Sequence, residues 1–348
     1  MMPVSIVVGG QYGSEGKGKV AHYLAREMNA SFVVRCGGPN SGHTVIDEDG
    51  NARIFRQLPT ASILPEIKLA ICSGSYIDLD VLMREIQGTK VDPRRLIIDR
   101  DAVIITEELK AREAKSGLMD RIGSTGSGTG AAVAARANRE LSLCFAKDIS
   151  DLKPFCGNVS ETLRDALNTN RRVIIEGTQG FGLSPFHARL YPYTTSRDTT
   201  AAGFLAETGL SPLDVDDVVL TLRAFPIRVG GISGPLDHEI DWGIVTSEGG
   251  HLKPIVEITS VTKRVRRVAR FTPQVAREAI QVNRPTRIAL NHLDHLSSEY
   301  AHRDSSKIAD FIKSVERAIG QHIHFLGFGP NSLQINKAQV RCLEQHYA

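Results

Sequence analysis

The stretch Val7–Val20, VVGGQYGSEGKGKV, sets Gly13, Gly16 and Gly18 around Glu15, Lys17 and Lys19. Glycines let backbone N–H groups approach phosphate oxygens, a following helix start adds a positive dipole, and Lys17 adds a full charge. The loop is close to the Walker pattern without matching it. That pattern needs GxxxxGK followed by Ser or Thr, and Lys17 is followed by Gly18, so the usual hydroxyl ligand for Mg²⁺ is missing. Position 14 is the second departure. Proton transfer or metal binding at this point of the loop calls for a carboxylate, and the residue is Ser14.

Further segments carry groups of the same kind. CGGPNSGHT (Cys36–Thr44) holds His43, which beside a phosphate site can donate to a developing oxyanion or a transferring phosphoryl group. GSTGSGTGAAVAARANR (Gly123–Arg139) reads either as an anion-binding loop before a helix or as a flexible loop with a capping Ser or Thr. Arg136 and Arg139 fall near that helix's end. EGTQGFGLSP (Glu176–Pro185) and YPYTTSRDTTAAG (Tyr191–Gly203) are rich in small hydroxyl and amide residues that can read a base edge or a phosphate. TSVTKRVRRVARF (Thr259–Phe271) concentrates Lys263, Arg264, Arg266, Arg267 and Arg270. A nucleic-acid face, a solvated face and a loop gripping carboxylates and phosphates are the alternatives, and the third is favoured because the run is short and poor in aromatics. In LNHLDHL (Leu290–Leu296), Asp294 either accepts from a guanine ring, as the Asp of an N/T-K-x-D motif does, or is a polar strand end; the motif's lysine is here His292.

These loops need a scaffold, and the apolar runs supply one. Val4–Val8, Ser31–Arg35, Leu69–Cys72, Leu96–Ile98, Arg172–Ile175, Val218–Ala224 and Arg287–Leu290 read as buried strands. Lys17–Glu27, Ser160–Leu167, Pro273–Val282 and Ser305–Ile319 have helical spacing. The alternation predicts an α/β fold: one P-loop-like domain over residues 1–348, with a central, mainly parallel sheet flanked by helices. The glycine-rich loops then leave the same sheet edge. The 348 residues carry a net charge of only +3, which gives no global case for nucleic-acid binding. The five cysteines (Cys36, Cys72, Cys144, Cys156, Cys342) form no CxxC pair, so neither a zinc site nor a disulfide framework is expected. The first residues read as a strand rather than a signal peptide, and no apolar run approaches a membrane span. A cytoplasmic protein is expected, in the host cytoplasm if phage-encoded.

Taken in order, GQYGSEGKGK, NSGHT, GSTGSGTG, EGTQG, YPYTTS, RVGG, TKRVRR and GFGP resemble the adenylosuccinate synthetase family over most of the chain. That resemblance implies a ligase that joins L-aspartate to C6 of a purine nucleotide with a nucleoside triphosphate and Mg²⁺. A carboxylate takes the N1 proton, O6 attacks the γ-phosphate, a histidine stabilises the charge at O6, and the amine displaces phosphate. It further implies that Gly16, Lys17, Gly18, Lys19, Gly42, His43, Thr44, Arg266, Asn291, Asp294 and Gly329 bind the triphosphate. Asn40, Ser124, Thr125, Gln179, Thr195 and Ser14 would hold the purine monophosphate, with Arg139 reaching the site from a partner subunit in a homodimer. Val261, Thr262, Lys263 and Arg264 would bind aspartate, Ser14 and the Gly42 carbonyl would hold Mg²⁺, and Ser14, Lys17 and His43 form the implied catalytic set.

Position 14 is Asp in ordinary members, the base at N1 and a metal ligand. The chain is also shorter than those members between Arg139 and Gln179 and after Asp294. In these respects it is similar to a variant from phages that replace adenine by 2-aminoadenine, which carries Ser here, uses dGMP and accepts ATP. Guanine has an amine next to N1 that a carboxylate would crowd, whereas serine leaves space and an acceptor lone pair. The expected reaction is ATP-driven joining of aspartate to dGMP, with GTP or dATP as other donors, and with a substrate phosphate, a water or Glu15 taking the N1 proton. A conventional enzyme acting on IMP with GTP is the alternative; a catalytically inactive nucleotide-binding regulator is a third reading. Neither nucleic acid nor membrane is an expected partner.

Overall fold

The computed structural model describes residues 3–259, 263–299 and 306–337; Val261, Thr262, Ser305 and Cys342 lie outside the described residues. Strand β1, Val4–Gly9, is buried along its whole length. Its residues alternate between two hydrophobic clusters, with Val4, Ile6 and Val8 in one and Val7 in the other. That is the behaviour of a strand covered on both faces, and it is why the run reads as continuously apolar.

In chain order the strands of the central sheet are β1, β2 (Phe32–Arg35), β3 (Lys68–Ile71), β4 (Leu96–Asp99), β5 (Cys156–Gly157), β6 (Val173–Glu176), β7 (Val215–Arg223), β8 (Arg287–Asn291), β9 (Phe325–Phe328) and β10 (Ser332–Ile335). Across the sheet they run β10-β9-β8-β7-β1-β6-β2-β3-β4-β5. Every pairing is parallel except β9 with β10. The α/β architecture with a mainly parallel sheet is therefore the one the alternation predicts. The chain leaves β1, moves outward through β2 to β5, then returns to lay β6 and β7 on either side of β1. The strand order reverses there, and in open α/β sheets ligands bind at the carboxyl ends of the strands beside such a reversal.

Helix α1, Lys17–Glu27, follows β1 and turns Val20, Ala21, Leu24 and Ala25 into the core. The expected strands all appear, with ends shifted by up to three residues. Three more do not stand out in sequence. β5 has two residues, β9 carries Gly327 inside FLGF, and β10 is an edge strand with exposed residues. A small antiparallel sheet of Ile227–Arg228, Arg267–Ala269 and Glu239–Ile240 anchors one end of the basic run. A hairpin, His43–Ile46 with Ala52–Phe55, begins at His43.

Candidate active site

The loops at the carboxyl ends of β1, β2, β6, β7 and β8 enclose two adjoining cavities of about 550 and 400 Å³. Tyr12, Asn40, Thr125, Gln179, Leu183 and Val229 line both. The first cavity also takes Ser14, Gly16 to Lys19, Gly42, His43, Thr44, Lys263, Arg266, His292 and Gly329; the second takes Ser124 and Thr195. Most residues implied by the sequence thus converge on one place.

The turn after β1 is built for close approach. Gly16 caps α1 at φ 88° and no side chain closes the helix start. A Cβ on Gly18 would stand 2.7 Å from the His43 Cβ, so only glycine lets the second loop pack on the first. Ser14 itself has φ 56°, a left-handed conformation uncommon outside glycine. Its carbonyl accepts from Arg223 Nη1 at 3.1 Å and lies 3.2 Å from His292 Nε2. No hydrogen bond among the described residues uses its hydroxyl, and the residue lines the first cavity.

Glu15 is not a proton acceptor for a ligand, which corrects one sequence expectation. It is fully buried; Oε1 accepts from the amides of Gln11 and Gly13 at 3.0 and 2.8 Å, and Oε2 pairs with Lys17 Nζ at 2.7 Å. Every oxygen is committed to holding the turn. Asn291 is fully buried behind the turn, where Nδ2 donates to the Glu15 carbonyl at 2.8 Å, and it lines neither cavity. Lys19 lines the first cavity while its ammonium donates to the carbonyls of Gly329 and Ser332 at 2.8 and 3.1 Å. Burial pulls it down to about 8 against the opposing pull of Asp294. Asp294 lines neither cavity, and its buried Oδ1 has no hydrogen-bond partner among the described residues.

His43 lines the first cavity and is strongly perturbed by its neighbours. Its Nδ1 lies 2.6 Å from Glu176 Oε1, which also accepts from Arg35 at 2.7 Å. Glu176 Oε2 accepts from the amide and hydroxyl of Thr60 at 2.9 and 2.8 Å. Burial and the Arg35 charge push the imidazole down to about 3. Burial opposes ionisation of Glu176, but the His43 hydrogen bond and Arg35 outweigh it and hold the carboxyl at about 2. Nδ1 is thus met by both the Glu176 carboxylate, which can only accept, and Arg35 Nη1, which can only donate, while the residue lines the first cavity.

An acid-stability prediction arises here. Unfolded, the imidazole titrates near 6.5 and in the fold near 3, so protons favour the unfolded chain and stability falls as pH drops from about 6.5 toward 3, by at most about 1.4 kcal/mol per unit. Glu176 adds stability above about 4.3 that is lost only as pH falls toward 2. Denaturant midpoints of His43→Gln should fall less steeply between pH 6.5 and 4.5 than those of the unaltered protein. Parallel slopes would contradict this assignment.

Among the described residues each cavity is lined by a single carboxylate, Glu257 in the first and Glu113 in the second. Glu257 is gripped by both guanidinium nitrogens of Arg223 and approached by Arg266 at 3.6 Å. Burial opposes its charge, but Arg223 and His292 hold its carboxyl far below the usual range. Ligand atoms of Glu257, His292 and His295 lie within 4.8 Å of one another, yet Arg223 spans the carboxylate and repels a divalent cation there. Neither cavity offers a free carboxylate to a purine.

The basic run separates into parts. Lys263 and Arg266 face the first cavity, whereas Arg267 pairs with Glu239 and Arg270 with Glu248 on the surface. Arg264 is exposed and lines neither cavity, as does Arg139 at the end of helix Thr129–Ala137. Arg35, Glu176, Arg223 and Glu257 are functional neighbours that sequence reasoning missed. A signal existed for the first three, each a charged residue that closes an apolar strand just before a loop.

A family model described as adenylosuccinate synthetase matches residues 6–148 and 143–301. Adenylosuccinate synthetases of Methanocaldococcus jannaschii and Thermococcus onnurineus are 40% and 37% identical over 96% and 94% of this chain and 96% of each relative. The succinoaminodeoxyadenylate synthetase of cyanophage S-2L, bound to dGMP and to dATP as an energy donor, superposes with a TM-score of 0.82 at 30% identity, covering 99% of both chains. The fully ligated synthetase of Plasmodium falciparum has a TM-score of 0.83 over 97% of this chain and all of its own, but at 19% identity it supports the fold alone. Fold and site define a C–N bond-forming ligase, driven by a nucleoside triphosphate, that joins aspartate to a purine nucleotide. The chain belongs to the adenylosuccinate synthetase family. The archaeal relatives match over nearly their full length, so a compact chain does not by itself distinguish the phage type. No described helix is long and apolar enough to cross a membrane.

Proposed function

We propose that the acceptor nucleotide is dGMP and that the product is 2-amino-2′-deoxyadenylosuccinate. One observation carries this reading: Ser14 stands where a free carboxylate would serve a purine N1, inside an otherwise complete phosphate cradle to which the described residues bring no free carboxylate. A 2-amino group needs the space and the acceptor lone pair that serine provides. The cyanophage relative bound to dGMP supports it. The conventional reading, IMP with GTP, is favoured by the 40% identity to an archaeal synthetase.

In the proposed reaction O6 attacks the γ-phosphate, N1 loses its proton, and the nucleoside diphosphate leaves. The aspartate amine then attacks C6, and inorganic phosphate departs with O6. Lys17, the unclosed start of α1 and Arg266 hold the triphosphate. Its negative charge favours the imidazolium form of His43, with Nδ1–H on Glu176 and Nε2–H donating to O6. With Glu15 and Glu257 committed, the N1 proton goes to a substrate phosphate oxygen or a water.

Asn40, Thr125, Gln179 and Thr195 hold the acceptor nucleotide, and Arg139, exposed and outside the lining of both cavities, serves the site of a partner in a homodimer. Lys263 and Arg264, with Val261 and Thr262, bind aspartate. The donor is ATP or dATP, because His292 replaces the guanine-reading lysine and is turned onto the Ser14 carbonyl. Asp294, whose Oδ1 has no partner among the described residues, is the feature that favours GTP, so donors need direct comparison. Mg²⁺ fits the donors present. Ser14 and the Gly42 carbonyl are neutral oxygens, suited to an ion held mainly by phosphate and water, and the ion would neutralise charge on the triphosphate. The test is dGMP labelled with ¹⁸O at C6, given with ATP and aspartate. The expected result is one ¹⁸O atom in the released phosphate; turnover with unlabelled phosphate would overturn the phosphoryl route.

A further inference from the structure

The third glycine-rich loop has the composition of an anion site, and in the structure that site is filled from within. Helix Thr129–Ala137 starts behind Gly128. The amides of Gly130 and Ala131 donate to Glu113 Oε2 at 2.9 and 3.4 Å, and the Ser124 hydroxyl donates to Oε1 at 2.8 Å. Glu113 comes from helix Glu107–Lys115 and is only 4% exposed. No cation pairs with it among the described residues. The donors best suited to phosphate here are thus spent on a fixed negative charge.

Beyond Glu113, the second cavity offers hydroxyls, including Thr125, Thr194 and Thr195, and the Arg228 guanidinium, two of whose nitrogens are held by the carbonyls of Ser233 and Tyr193. A single phosphate can use these. A further phosphate directed at the helix start meets the Glu113 carboxylate, which already holds the amides of Gly130 and Ala131. The first cavity next door must accept a triphosphate, so the acceptor half needs a way to refuse one. We propose that Glu113 is a specificity-determining residue that confines the acceptor nucleotide to a monophosphate. This rests on the reading that the second cavity takes the phosphate end of the acceptor; it is independent of whether the base is guanine or hypoxanthine.

Glu113→Gln keeps the shape, an acceptor for the amides and a partner for Ser124, and removes the charge. Glu113→Asp keeps the charge. The measurement is the ratio of kcat/KM for dGMP over dGDP. Glu113→Gln is expected to narrow that ratio by about tenfold or more, the scale of a like-charge contact in a partly buried site, while Glu113→Asp keeps it within about threefold. A ratio unchanged in Glu113→Gln, or narrowed equally by Glu113→Asp, overturns the proposal. If dGMP is not a substrate, IMP against IDP gives the same ratio, which separates failure of the guanine reading from failure of this one. The unaltered enzyme supplies a test that needs no variant: dGDP should inhibit against dGMP with a Ki about tenfold or more above the dGMP KM, and equal values refute the filter.

Discussion

Replacing His43 by Asn lowers kcat by about 10²- to 10⁴-fold, with nucleotide KM values shifting only a few-fold, the range for loss of a positioned proton donor at a developing charge. The size follows from how completely the ring is fixed. Glu176 holds Nδ1, Thr60 holds the other oxygen of Glu176 with two donors, and Gly18 allows the loop to close on the cradle. The imidazole enters the apo site neutral, so binding of an anionic triphosphate can switch it to a cation when charge is about to develop at O6. Asparagine donates a hydrogen bond but cannot gain that charge. Single-turnover formation of nucleoside diphosphate isolates the step. Loss carried by KM alone would assign His43 to binding instead.

Ser14→Asp is expected to shift the IMP-to-dGMP ratio of kcat/KM by about 10²-fold or more. Restoring a base at N1 is worth about 10²–10⁴ for IMP, and a carboxylate crowding the 2-amino group costs dGMP about 1–3 kcal/mol. The backbone does not stand in the way. Residue 14 has φ 56°, a conformation in which Asp is enriched among non-glycine residues, and Arg223 fixes its carbonyl whatever the side chain. The substitution therefore tests chemistry more than folding. If Ser14→Asp gained IMP activity with no loss of dGMP activity, the crowding argument would be wrong.

Much of this was legible in the sequence, and the gaps have physical causes. Val4–Gly9 and α1 are readable because a doubly covered parallel strand is apolar throughout and because Gly16 and Lys17 mark the helix start. β5 and β10 are short or at the edge, so they bury too little to leave a pattern. His43 was identifiable as a candidate, but its setting was not. Arg35 and Glu176 are separated by 141 positions and meet only because β6 is inserted beside β2. Glu15 misled for a related reason. An acidic residue in a phosphate loop looks available until the turn folds the Gln11 and Gly13 amides onto it. Glu113 carried no sequence signal, since its contact with the amides of Gly130 and Ala131 depends on two helices meeting end to side.

The central claim is the identity of the acceptor. Equimolar dGMP and IMP, given together with ATP, Mg²⁺ and limiting aspartate, put it to a single mass measurement of the succinylated nucleotides. The account predicts that the aspartate adduct of dGMP forms in large excess and that phosphate release requires aspartate. Predominant conversion of IMP would contradict it and return the chain to the conventional activity of its archaeal relatives.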